Sequence, residues 1–246
     1  QKLFLSEAKD GLTPHTLWTA AEVGTNDAAK KDLIALFDGV EVFDTPKPTG
    51  LIQRMLEVGS DGSDLVLDFF AGAGPMGEAV FQINQRDDSH RKFILVQLPE
   101  PVDQSGYATI ADIAKERLRR AGRRAREKNG MSASDLGFRV FKRASSNIRA
   151  WEPDPANLGD TLQKSIEPLD PDRTEADILF ELLLKLGLEL TVPIEEKAIA
   201  GKAVHSIGAG TLLVCLAPQI GGDEVEPLAL GIAAWHKELA PAGETS

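Results

Sequence analysis

The amino-acid sequence predicts an α/β fold in which a partial parallel sheet is followed by a small α+β domain. Two continuous apolar runs, 65–69 and 93–98, are separated by a glycine turn and a helical pattern, as in a βαβ unit. Continuously apolar strands indicate a parallel sheet covered on both faces. Residues 151–155 contain two prolines and no periodicity, so we place a boundary there, between domains 1–150 and 151–246.

Helices are predicted on either side of the first apolar run. Asn26 or Asp27 can cap a helix, with an apolar side made of Ala28, Leu33, Leu36 and Phe37. After two prolines a second helix runs to Gly59, and its apolar residues are Leu51, Ile52, Met55 and Leu56. A third helix begins near Pro75, because proline is favoured at the first helical position.

The rest of the chain alternates helical and β-rich patterns. After Tyr107 a long helix is expected, with an apolar stripe of Ile110, Ala114, Leu118, Ala121 and Ala125. The run 137–143 (GFRVFKR) predicts a strand that closes the first domain. In the second domain we expect helices at 173–186 and 227–239, β-rich runs at 197–200, 203–207 and 211–216, and a tight turn at Gly201-Lys202.

Composition limits the classes of function. Net charge is −11, but the segment Lys115–Lys128 alone carries +6, which leaves −17 elsewhere. That segment could follow DNA phosphates or could simply be a solvated helix face. Cys215, the single cysteine, is expected to be a small apolar packing residue, and no Cys/His spacing suggests a metal site. Without a membrane-length apolar run or a signal peptide, a cytoplasmic protein is expected.

The most informative segment is 68–77 (DFFAGAGPMG), a glycine turn between a predicted strand and a helix. Gly72, Gly74 and Gly77 satisfy G-x-G-x-x-G, a spacing that lets backbone amides approach an anionic nucleotide group. An acidic residue after the next strand would bind ribose hydroxyls. Gln97 and Glu100 occupy that region in both S-adenosylmethionine and NAD arrangements, so the pattern does not name the cofactor.

Several separated stretches together resemble the β group of amino-methyltransferases, and most closely the adenine-specific Mod subunits of type III restriction-modification systems. They include FDTPKPTGLIQRML, DLVLDFFAGAGPMGEAV, RKFILVQLPEP, YATIADIAKERLRR and IAGKAVHSIGAGTLLVCL. The resemblance implies a Rossmann-like methyltransferase sheet, S-adenosyl-L-methionine as methyl donor and adenine N6 of double-stranded DNA as acceptor. It also implies a Mod homodimer and a Res nuclease-helicase partner.

The resemblance also assigns cofactor-binding residues by position. Thr45 and Lys47 would approach the methionine end, and Gln97 or Glu100 the ribose. The loop itself would consist of Asp68, Phe70, Ala71, Gly72 and Gly74. Plain core packing is the alternative interpretation of Phe69 and Phe70.

The sequence departs from the family pattern in two ways. Ala73, Pro75 and Met76 stand where the family loop usually carries Ser and Thr, which puts hydroxyl contacts to the cofactor in doubt. Adenine methylation also needs an Asp/Asn-Pro-Pro-Tyr/Phe element that holds the flipped base, and no Pro-Pro pair occurs. In the family that element precedes the Lys-Pro segment, so we expect an N-terminally truncated chain that is inactive alone and has no catalytic residue of its own.

Two other classes of function stay open at this point. A non-catalytic module would use the acidic C-terminal part to dimerise or to dock Res, with a degenerate nucleotide loop. An NAD oxidoreductase is supported by the glycine spacing alone and leaves the Lys-Pro segment unexplained.

Overall fold

The computed structural model describes residues 15–103, 106–129, 135–148, 155–159, 169–170 and 172–240. The chain divides into two compact units, residues 1–137 and 138–246. Of the segment 151–155, where the sequence predicts a boundary, only Pro155 lies among the described residues, and that boundary stays a prediction.

The first unit alternates helices and strands. Its elements, in chain order, are α1 (Ala20–Val23), α2 (Asn26–Leu36), α3 (Thr49–Gly59), β1 (Leu65–Asp68), α4 (Pro75–Asp87), β2 (Lys92–Leu95) and α5 (Ile110–Asn129). The predicted helix start at Pro75 is confirmed. The cap of α2 is Thr25, whose hydroxyl accepts the Ala28 amide at 3.1 Å, rather than Asn26 or Asp27.

The two strands form the predicted parallel βαβ unit. Leu67 of β1 pairs with Ile94 of β2, and the ladder continues as the Val96 amide donates to the Asp68 carbonyl at 2.8 Å. One face of this sheet packs against α3 and α4 in a core of Ile52, Leu56, Ala79, Val80 and Ile83, joined by Val66, Met76 and Phe93.

No element among the residues that the structure describes covers the other face, which corrects the expectation of a sheet covered on both sides. Alternate residues of both strands are exposed along their length, with Leu67 57% and Ile94 47% exposed. A continuous apolar run cannot itself reveal whether a second helical layer is present.

Helix α5 lies along α4. Within its predicted stripe, Ala114, Leu118 and Ala121 are buried, while Ile110 and Ala125 are half-buried. Close approach is possible because small residues face each other where α4 begins.

The second unit is α+β. Its elements are α6 (Glu175–Lys185), β3 (Ile194–Ile199), β4 (Lys202–Ile207), β5 (Leu212–Cys215) and α7 (Val225–Leu239). The three strands form an antiparallel sheet in sequence order. The hairpin turn is Ala200-Gly201, both with positive φ, one residue before the predicted position, since Lys202 already pairs with Ile199. Cys215 is half-buried and packs against the core formed with α7.

The predicted strand 137–143 is wrong, because these residues lack regular secondary structure. The segment is held instead by side chains. Arg139 donates to the carbonyls of Leu190 and Val192, and the Phe141 ring lies 4.9 Å from that of Phe180.

A cluster of polar contacts around Glu181 follows that segment within the second unit. The Glu181 carboxylate pairs with Lys185 at 2.8 Å and accepts from the Ser146 hydroxyl and the Asn147 backbone amide. The Lys185 ammonium and these donors hold the pKa of the Glu181 carboxyl at about 2.

Among the residues described in either unit, no helix is long and apolar enough to cross a membrane.

Candidate cofactor site

A tight loop joins β1 to α4. Gly72 and Gly74 have φ values of 53° and 76°, in the left-handed region that glycine adopts without strain. The Gly74 amide donates to the Ala71 carbonyl at 2.8 Å, and helix α4 starts at the next residue with no side-chain cap. The positive end of α4 is therefore available to an anionic group from solvent or a ligand.

The glycines also allow neighbouring elements to approach. A Cβ on Gly74 would lie 3.3 Å from the Ala114 Cβ, and one on Gly77 would lie 2.6 Å from the Leu118 Cδ2. Both neighbours belong to α5, so the glycine pattern seats this helix against the start of α4. The spacing of the motif thus has a packing role in addition to any ligand role.

The side chain of Gln97, which lies two residues after β2, is hydrogen-bonded to the backbone of the loop. Its Oε1 accepts the Gly72 amide at 2.7 Å, and its Nε2 donates to the Leu98 carbonyl at 3.2 Å. Glu100 is exposed and lies 3.5 Å from the same Nε2. Of the two residues predicted for a ribose, Glu100 has an exposed carboxylate, while the side-chain amide of Gln97 already holds the loop backbone.

Asp68 and Phe70 meet at the carboxyl end of β1. The Asp68 Oδ1 accepts the Phe70 amide at 3.0 Å, which fixes the turn out of the strand. Phe69 and Phe70 are 62% and 84% exposed, and their rings are 5.1 Å apart. Core packing, the alternative interpretation of these rings, is therefore wrong, and Phe70 is accessible to a ligand.

The segment that leads into the Lys-Pro pair lies close to the loop. The Phe43 ring lies 3.8 Å from where a Gly72 Cβ would stand. Beside it is a cleft of about 320 Å³, lined by Val42, Phe43, Asp44, Thr45, Val102, Asp103 and Ile110. Thr45 and Lys47 are exposed, and Pro46 between them is buried, so the two predicted residues are held at the surface. No sequence pattern indicated Phe43 or Val102 as residues of the site.

None of the three substituted loop residues lines this cleft. Ala73 is 1% exposed and packs with Ile113, while Pro75 is buried and Met76 packs against the α3–α4 core. A ligand at this loop would meet the loop backbone rather than these side chains.

A buried ion pair behind the loop escaped prediction. The Arg117 Nε donates to Glu78 Oε2 at 2.7 Å, with the two side chains only 4% and 14% exposed. Glu78 lies in the first turn of α4 and also accepts from Gln82 at 3.0 Å. Helical spacing sets Arg117 beside the buried Ala114 and Ala121, and an arginine next to an apolar stripe is the signal that could have indicated a buried partner.

Some of the arginines of the basic helix α5 are buried or already paired with carboxylates. Arg117 is buried, and Arg120 bonds to Asp38 at 2.6 Å and Glu116 at 2.8 Å. These carboxylates raise the pKa of the Arg120 guanidinium, Asp38 most. Arg123 and Arg126 are exposed, so only part of the segment could face phosphates.

Comparison with known proteins relates the chain to DNA methylases. Residues 2–118 match the profile of a DNA methylase family. More particularly, the chain is similar to Mod subunits of type III restriction-modification enzymes. It is 34% identical to the StyLTI Mod subunit of Salmonella typhimurium over 59% of this chain and 23% of that protein.

Two further Mod subunits align along most of the chain. The EcoP15I Mod subunit of Escherichia coli is 30% identical over 87% of this chain and 32% of its own length. The EcoPI Mod subunit of Escherichia phage P1 is 28% identical over 87% of this chain and 33% of its own length. The chain therefore spans about a quarter to a third of the relatives it matches.

Proposed function

We propose that this chain forms the cofactor-binding part of a site-specific DNA adenine-N6 methyltransferase of the type III Mod kind. Bound S-adenosyl-L-methionine would supply the methyl group. The glycine loop and the positive end of α4 would face its charged end, Phe70 would contact an apolar surface of the ligand, and Glu100 would meet the ribose. Thr45 and Lys47 would stand at the methionine end.

The observation that carries this proposal is the loop of two left-handed glycines opening into an uncapped helix start. It adjoins a cleft of about 320 Å³, a volume in the range of small-molecule sites. The substituted side chains face the core and add no bulk to this crevice. The family match favours a methyl donor over a nicotinamide cofactor.

Transfer itself needs groups that this sequence does not contain. An adenine amine is held by the Asp/Asn-Pro-Pro-Tyr/Phe element, and the sequence has no Pro-Pro pair. We therefore propose that this polypeptide binds cofactor but does not methylate DNA by itself. Double-stranded DNA, a Mod homodimer and the Res subunit are the partners proposed for the complete enzyme, in the cytoplasm.

Calorimetric titration with S-adenosylmethionine tests the binding step. We expect one-site binding by the chain, a clear loss in Phe70→Ala and no change in the control Val58→Ala. Both side chains are exposed, at 84% and 46%, so neither change should unfold the protein. Absence of heat with S-adenosylmethionine would favour a non-catalytic module, and binding of NADH instead would favour an oxidoreductase. Labelled methyl groups appearing in DNA with the purified chain would refute the inactivity.

A further inference from the structure

One side of helix α5 carries a row of exposed arginines. Arg119, Arg123 and Arg126 stand at positions i, i+4 and i+7, which places their side chains along one side of the helix. We call these three residues the arginine stripe. Among the residues that the structure describes, the guanidinium groups of Arg123 and Arg126 form no ion pair or hydrogen bond, not even with Glu127, which follows on the same helix.

Other arginines of α5 are already used to hold the fold together. Arg117 is buried against Glu78, and Arg120 pairs with two carboxylates. One of these, Glu116, lies 2.8 Å from Arg120 and 3.7 Å from Arg119, which is itself 55% exposed. The fold therefore uses the stripe only in so far as cations offset the negative end of a helix dipole.

The arginine stripe lies away from the cofactor cleft. Helices α4 and α5 run in the same direction from the glycine loop, because Gly74 faces Ala114 and Gly77 faces Leu118. Ile110, the first residue of α5, lines the cleft. At a rise of about 1.5 Å per residue, the stripe begins about 14 Å and ends about 24 Å along the helix from Ile110. It is therefore a surface separate from the cofactor site.

The chemistry of the stripe suits phosphates. A guanidinium is always charged, and its planar N–H donors match the oxygens of a phosphate. The stripe extends about 10 Å along α5, and one strand of a DNA duplex carries about three phosphates over that length. The segment 115–128 carries +6 in a chain of net charge −11, so a polyanion is attracted to this helix and repelled by most of the remaining surface.

We infer that the arginine stripe binds the phosphate backbone of double-stranded DNA outside the stretch that enters the methylation site. The choice of DNA as the polyanion rests on the proposed function. A duplex rises about 3.4 Å per base pair, so the 14 to 24 Å along α5 corresponds to roughly four to seven base pairs. Phosphate contacts carry no sequence information, and the stripe would hold flanking DNA of any sequence.

The experiment measures binding of the purified chain, without cofactor, to a fluorescein-labelled duplex of about 24 base pairs, long enough to extend past the stripe. Fluorescence anisotropy is recorded between about 50 and 200 mM salt. The stripe variant is Arg119→Gln with Arg123→Gln and Arg126→Gln. Each lost phosphate contact reduces the slope of log affinity against log salt by about 0.9, so we expect a slope shallower by about 2.7 and, at about 50 mM salt, an affinity at least about tenfold weaker.

Two controls separate the position of the charge from its amount. Lys142→Gln with Arg143→Gln and Lys237→Gln removes the same charge from exposed residues of the second unit and should keep the wild-type slope. Replacing the three stripe residues by lysine should also keep it, because counterion release depends on charge. Glutamine has a helix propensity close to that of arginine, so circular dichroism should show the same fold in every variant.

Each outcome decides the inference. It is overturned if the wild-type chain binds no duplex, if the stripe variant binds as wild type, or if the control in the second unit loses as much affinity. Loss of the slope in the lysine variant would also overturn it. Stripe-dependent binding of poly-L-glutamate as tight as that of the duplex would indicate an acidic protein partner instead. Since cofactor is absent, failure of S-adenosylmethionine binding is a separate result.

Discussion

The buried pair of Glu78 and Arg117 gives the sharpest test of how the loop is held. Glu78→Ala would leave the Arg117 guanidinium, whose side chain is 4% exposed, without its carboxylate. Among the residues the structure describes, Arg117 Nη1 already lacks a hydrogen-bond acceptor, so the change would leave a further buried N–H of the same guanidinium without one.

The magnitude follows from that burial. Removing one member of a buried pair costs about 3–5 kcal/mol. Because the Glu78 side chain is still 14% exposed, we expect a loss at the lower end of that range, about 3 kcal/mol. This loss corresponds to a drop of roughly 10 °C in the thermal unfolding midpoint of the first unit. Replacing both residues, Glu78→Leu with Arg117→Met, should return the free energy of unfolding to within about 1 kcal/mol of wild type.

The assay is hydrogen exchange across a urea series, followed in peptides from α4 and α5 so that the two units are not confused. The double variant should be more stable than Glu78→Ala. The pair does not hold these helices together if the losses in free energy of unfolding for the changes at Glu78 and Arg117 simply add. A loss below about 1 kcal/mol in Glu78→Ala would show the same.

Three further changes have defined outcomes. Gly77→Ala should cost about 1–2 kcal/mol, since the new Cβ would lie 2.6 Å from the Leu118 Cδ2, whereas Gly59→Ala, with open space around it, should be neutral in the same denaturation assay. Gln97→Leu removes the acceptor of a loop amide and should weaken S-adenosylmethionine binding about threefold to tenfold by calorimetry, and undiminished affinity would refute that role. The pKa of Glu181 is lowered to about 2 from 4.5. The ionised carboxylate therefore stabilises the folded state by about 1–2 kcal/mol after allowance for solvent screening. This stabilisation is present above pH 4.5 and is lost as the pH falls toward about 2. Glu181→Gln should flatten that part of the pH–stability curve, and an equal slope in both proteins would contradict the assignment.

Local sequence patterns predicted what depends on local geometry. The glycine turn, the helix start at Pro75 and the stripe on α5 all follow from backbone preference or helical period. The same reasoning found the residues of the loop, although their ligand roles stay predictions.

Long-range packing decided the rest. The uncovered face of the sheet of β1 and β2 carries the same apolar residues that a covered strand would, so the sequence could not reveal it. The segment 137–143 has strand-like composition, but Arg139 bonds to backbone carbonyls of a distant turn instead of joining a ladder. The Glu78–Arg117 pair joins residues 39 positions apart, a distance at which charge patterning carries little information.

The central claim is that the glycine crevice holds S-adenosylmethionine, and amide NMR tests it most directly. On titration with S-adenosylmethionine we expect the largest shifts at Gly72, Gly74 and the first turn of α4, and none of comparable size with NADH. The account would be contradicted if the resonances of these amides did not move with S-adenosylmethionine, or if they moved with NADH alone.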